Sequence, residues 1–145
     1  MLIRNGDKSL SFTVERYEYP DCKSSNTSNE YDANWLMLKV TWSDDNGKQI
    51  YQGACLLAWE LQEIPKELGR IIAGDELLYL SDFMEPYLKL VFANADQQIL
   101  TGIEFVYDTT DGVWKSHKLV ETMSIKDAKK LVEELNTLCE KYHVR

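Results

Sequence analysis

Trp35-Leu36-Met37-Leu38-Lys39-Val40-Thr41-Trp42-Ser43 decides the fold. Leu36, Leu38, Val40 and Trp42 fall on one parity, while Lys39, Thr41 and Ser43 fall on the other. In a strand successive side chains point to opposite faces, so this stretch reads as a strand with one buried face. Asp44-Asp45-Asn46-Gly47-Lys48 follows, and Asn-Gly is the dipeptide suited to the two positive-φ positions of a type I′ turn. Gln49 to Leu57 then returns as the partner strand of a hairpin.

Upstream, Leu10, Phe12 and Val14 alternate as a half-buried strand. The alternation breaks at Arg16, and Tyr17 and Tyr19 continue on the other parity, which marks a bulge or a change of face. Pro20 to Glu30 is polar and reads as a loop.

Downstream, the period changes. Leu61, Ile64, Leu68, Ile71 and Ile72 recur at helical steps. Pro65 would kink an uninterrupted helix, but it fits the first turn of one running from about 65 to 72 after a short preceding turn. Gly74 fits a helix stop. Strand patterns resume at 76–80, at 87–93 with Leu88, Leu90 and Phe92 on one face, at 99–107 and at 113–123. Turns are expected at Asn94–Gln97 and Asp108–Gly112. A helix from about Ile125 to Tyr142 closes the chain, capped by Ser124 with Asp127 three residues on. Its apolar stripe contains Ala128, Leu131, Leu135 and Leu138.

Hairpins dominate and no βα alternation repeats. The expected fold is α+β: an antiparallel or mixed sheet of six or seven strands with two helices packed on it, the C-terminal helix the longer. At 145 residues a single domain spanning 1–145 is expected. Trp42, Leu38, Phe92 and Leu135 should share one core.

Several function classes find little support. Cys22, Cys55 and Cys139 are widely spaced and odd in number, matching neither a zinc site nor a disulfide framework. Arg4, Asp7 and Lys8 interrupt the N-terminus, so no signal peptide is expected, and no run is long enough to cross a membrane. A cytoplasmic protein is the expectation. No phosphate-binding glycine motif is present. The turn acids Asp44, Asp45, Asp108 and Asp111 do not continue into a calcium loop. His117 in a strand and His143 near the end are the two histidines; His117 with a carboxylate could assist a nucleophile such as Cys55, but nothing in the spacing suggests it, and a hydrogen-bonded sheet histidine is the favoured reading. No catalytic residue, metal or cofactor is expected.

The net charge of −8 is uneven. Residues 43–112 hold thirteen acids against four bases, while the flanks nearly balance. Direct nucleic-acid binding calls for the opposite sign, whereas a basic protein partner would be drawn to such a segment. Asp44 and Asp45 at a hairpin tip, and Asp82 and Glu85 flanking Phe83, are the candidate partner-binding residues. Glu85 is alternatively an internal tether.

Three short motifs combine aromatic and polar residues: Asp32-Ala33-Asn34-Trp35-Leu36, Trp59-Glu60-Leu61, and Phe83-Met84-Glu85-Pro86-Tyr87-Leu88. Their pattern and order resemble the WapI-type family of bacterial immunity proteins, with D-x-N-W-L, W-E-L and F-x-E-P-x-L. The resemblance covers about residues 10–90. It implies a cytoplasmic antidote that binds the toxic C-terminal domain of a polymorphic toxin, often a nuclease, and blocks it in the producing cell. The runner-up is a small-molecule-binding or regulatory domain whose aromatic residues line a pocket.

Overall fold

A computed structural model describes residues 1–22, 30–107 and 112–145. The expected strand at 35–43 is β3 (Trp35–Asp44), paired antiparallel with β4 (Gly47–Leu57). Leu36, Leu38, Val40 and Trp42 are all buried, as the alternation requires. β2 (Lys8–Tyr17) pairs with β3, and its register shifts between Val14 and Arg16 where the alternation breaks. A short β1 (Leu2–Asn5), which carries no periodic signal, pairs with β2 to complete a sheet ordered β1-β2-β3-β4.

The second sheet is β5 (Leu78–Leu80), β6 (Leu88–Ala95), β7 (Gln98–Tyr107) and β8 (Lys115–Ser124), again antiparallel and in chain order. The α+β class therefore holds, with the eight strands among the described residues divided between two four-stranded sheets rather than joined in one. The sheets approach each other where β1 meets β8. There the Arg4 N–H donates to Glu121 Oε2 at 3.0 Å and the Asn5 side-chain amide donates to the Val120 carbonyl at 3.0 Å.

The β3–β4 and β6–β7 turns carry different chemistry from what dipeptides alone suggest. At the β3–β4 tip Asp45 and Asn46 keep ordinary negative φ, and Gly47 alone is left-handed at +123°. Positive φ at two successive positions occurs instead at Asp96 (+42°) and Gln97 (+70°), between β6 and β7. The 20–30 loop falls mostly outside the described residues, as does 108–111 of the last expected turn.

Helix α2 runs unbroken from Ala58 to Ala73, with Pro65 inside it. The expectation of a helix starting at Pro65 is thus corrected: helical burial of Leu61, Ile64, Leu68 and Ile71 outweighs the bond that proline removes. That missing bond leaves the Leu61 carbonyl free of its helical donor, and the Cys139 thiol donates to it at 3.6 Å. Gly74 ends the helix at φ +82°, its N–H bonded to Ile71 and that of Asp75 to Arg70, a Schellman closure. Helix α3 (Ile125–Lys141) is capped by Ser124, whose hydroxyl accepts from the Asp127 N–H at 3.1 Å. A five-residue helix, α1 (Glu30–Asn34), precedes β3 and was not expected. The inner faces of both sheets and the buried sides of α2 and α3 form one apolar cluster containing Trp42, Leu38, Phe92 and Leu135.

Candidate functional site

Glu60 and Asn34, from two of the three motifs, bind the chain to itself. Glu60, buried at the third position of α2, accepts from the Leu57 N–H through Oε2 (2.8 Å) and from the Met84 N–H through Oε1 (2.6 Å). The second motif therefore holds the backbone of the third. Burial pushes the Glu60 carboxyl pKa upward, with the two N–H donors pulling against it and Glu63 and Glu85 adding repulsion. Asn34 of the first motif is fully buried. Its side chain accepts from the Arg145 N–H at 2.9 Å and donates to the Arg145 carbonyl at 3.3 Å. These bonds fasten the end of the chain next to the start of β3.

The four named acids do not form one patch. Asp44 and Asp45 sit at the β3–β4 tip, while Asp82 and Glu85 lie between β5 and β6, beside the Leu57 end of β4. The length of β4, roughly 30 Å at ~3.3 Å per residue, separates the two ends. Asp44 is engaged in the fold: Oδ2 accepts from the Trp42 indole N–H (3.0 Å) and Oδ1 from the Asn46 N–H (2.9 Å). The indole and then the backbone bond hold its carboxyl below the usual range. Asp45 and Asp82 are exposed and Glu85 is half-buried. Phe83, expected to anchor a partner, is a core residue, and Met84 beside it is the exposed apolar side chain. The internal tether envisaged at Glu85 is supplied by Glu60. Only its position at N3 of a helix hinted at this, through the capping-box rule, because Leu57 has no side-chain acceptor to complete the box.

A cleft of about 350 Å³ opens between the sheets where β4 faces β7. Val40, Tyr51 and Gly53 line it from the first sheet; Phe105, Tyr107 and Tyr87 line it from the second. Gly53 stands across from Leu38 in the ladder, and a Cβ there would meet no atom within 4 Å, so this glycine leaves the space open. The Tyr51 ring lies 4.6 Å from Tyr107 and 5.5 Å from Phe105. Cys55 forms part of the lining. Burial, then the nearby Glu85 and Glu60 carboxylates, push its thiol pKa up to about 12. A thiol so protonated is the reverse of an activated nucleophile.

His117 belongs to an aromatic stack beyond this cleft. Its ring lies 4.4 Å from Trp42 and 4.8 Å from Tyr107, nearly parallel to both. Nε2 is 2.9 Å from Gln49 Oε1 and 3.2 Å from the Tyr51 hydroxyl. Burial lowers the imidazole pKa, and Asp44 opposes that shift. Among the described residues no group of three or more His, Cys, Asp or Glu could hold a metal ion.

The family model for the immunity protein WapI-like family matches residues 1–143. The chain belongs to this family. The likeness read from three motifs in residues 10–90 thus extends through β7, β8 and α3. Membership carries an immunity role, generally without enzymatic activity, and a protein partner in the form of a cognate toxin. No curated protein and no solved structure matches the chain. Among the described residues no helix is long and apolar enough to cross a membrane.

Proposed function

We propose that this WapI-like protein is a non-enzymatic antidote. In the cytoplasm of the producing cell it binds the toxic C-terminal domain of a bacterial polymorphic toxin and neutralises it by occlusion. The family match over residues 1–143 carries this reading. The acidic segment 43–112 suits a basic toxin domain, a nuclease among them, because opposite potentials speed encounter and align the partners. Co-expression with the toxin domain encoded immediately upstream is the test. Rescue of growth together with co-purification supports the antidote; toxicity that persists at matched expression refutes it.

The inter-sheet cleft favours a second reading, a small-molecule-binding or regulatory domain, since it combines aromatic walls with a few polar groups. A thermal-shift screen of metabolites separates the two: a shift with a metabolite and no retention of the toxin domain selects the second.

A further inference from the structure

We propose that the cleft between β4 and β7 receives an arginine side chain presented by the toxin domain. The proposal rests on the antidote reading and assigns it a contact. Shape, wall chemistry and charge select arginine.

The wall chemistry comes first. Tyr51, Phe105 and Tyr107 place three aromatic rings together on the cleft, and Tyr87 adds a fourth. Aromatic faces carry negative quadrupole potential and attract cations within ~6 Å of the ring centroid. Leu38, Val40 and Ala54 supply the apolar surface along which the methylene stem of a long cationic side chain packs. No Lys or Arg is among the described residues lining the cleft, so nothing in place repels an incoming cation.

The charge follows the same direction. Glu85 and Glu60 lie close enough to Cys55 in the lining to repel its thiolate. The same field attracts a guanidinium. Both belong to the acidic middle of a chain of net charge −8.

Arginine is favoured over lysine because its guanidinium is planar, weakly hydrated and stacks on rings. This fold already uses the arrangement: the Arg145 guanidinium lies 3.5 Å over the Tyr17 ring. The room is supplied by Gly53, whose missing side chain opens the cleft without any backbone need for glycine, since its φ is not left-handed. The outer face of the second sheet, with exposed Leu78, Leu80 and Val120, is also apolar, but nothing there selects an occupant.

Two measurements test the proposal. In the first, the full chain is titrated with N-acetyl-arginine amide, N-acetyl-lysine amide and the uncharged N-acetyl-norleucine amide while backbone amide resonances are followed. The arginine compound should shift Tyr51, Gly53 and Cys55 at millimolar concentration, the norleucine compound should not, and Gly53→Leu should abolish the response. No shift, or an equal one with norleucine, overturns cation selection.

In the second, affinity for the upstream-encoded toxin domain is compared among wild type, Gly53→Leu, Tyr107→Leu and Glu85→Gln. Plugging the cleft should weaken binding by about tenfold or more. Tyr107→Leu, which keeps apolar bulk and removes a π face, should weaken it by roughly twofold to thirtyfold, the range from an exposed to a desolvated cation–π contact. Glu85→Gln should weaken it and reduce its dependence on salt. Undiminished affinity for a folded Gly53→Leu overturns the cleft proposal and leaves the antidote reading standing. A wild-type protein that binds the arginine compound but not the toxin domain overturns the antidote reading, and with it the toxin as donor of the arginine.

Discussion

Glu60 Oε1 accepts the Met84 N–H at 2.6 Å across 24 residues of chain, so one carboxylate fixes both the start of α2 and the segment between β5 and β6. The Leu57 bond is buried and the Met84 bond partly so. Two motifs that look like separate pieces of surface chemistry are thus one structural joint.

Removing that joint should cost stability. Glu60→Ala leaves two backbone donors unpaired, at about 1–3 kcal/mol each, and should lower unfolding free energy by about 2–5 kcal/mol. Glu60→Gln keeps one carbonyl oxygen and should cost about 1–3 kcal/mol. Urea denaturation measures both, and an Ala variant within about half a kcal/mol of wild type would show the joint to be idle.

His117 should make stability pH-dependent. Burial lowers its folded pKa below the ordinary 6.5, so the unfolded chain takes up its proton first. Its stabilising contribution is fully present above pH 6.5 and is lost as pH falls toward and through the folded value. In His117→Gln, melting temperature should fall less between pH 7 and pH 5. Parallel melting curves for the two proteins would contradict the sign.

The Cys139–Leu61 contact predicts a coupling. Pro65→Ala restores a donor for the Leu61 carbonyl, which makes the thiol's bond redundant. Cys139→Ala should therefore cost less in the Pro65→Ala background than in wild type, by about 0.5 kcal/mol, the low end for a single net hydrogen bond. Strictly additive effects in the double-mutant cycle would mean that the two sites do not communicate.

Thr101 is fully buried on the inner face of β7, and its hydroxyl finds no hydrogen-bond partner among the described residues. Valine has nearly the same shape without the hydroxyl to desolvate. Thr101→Val should raise stability by about 1 kcal/mol. A loss of stability would reveal a partner for the hydroxyl, such as an ordered water.

Local sequence determined most of the elements, β1, α1 and the start of α2 excepted. The period-two runs at 10–14, 35–43 and 87–93 allow only one way to bury their apolar faces. Ser124 with Asp127, and Gly74, marked helix ends because the cap itself is made within a few residues. What tertiary structure alone decided involves partners distant in sequence. The way the two sheets approach, at β1 and β8, depends on contacts 115 and 117 residues apart. Pro65 lies inside a helix because tertiary burial of Leu61, Ile64, Leu68 and Ile71 outweighs the lost bond, and the Leu61 carbonyl it orphans finds a donor 78 residues away in α3. Glu60 is a joint because Met84 arrives beside it. The cleft exists because Tyr51 and Gly53 on one sheet face Phe105 and Tyr107 across the gap between sheets. A periodic pattern records which way each side chain points, and only packing determines what it meets there.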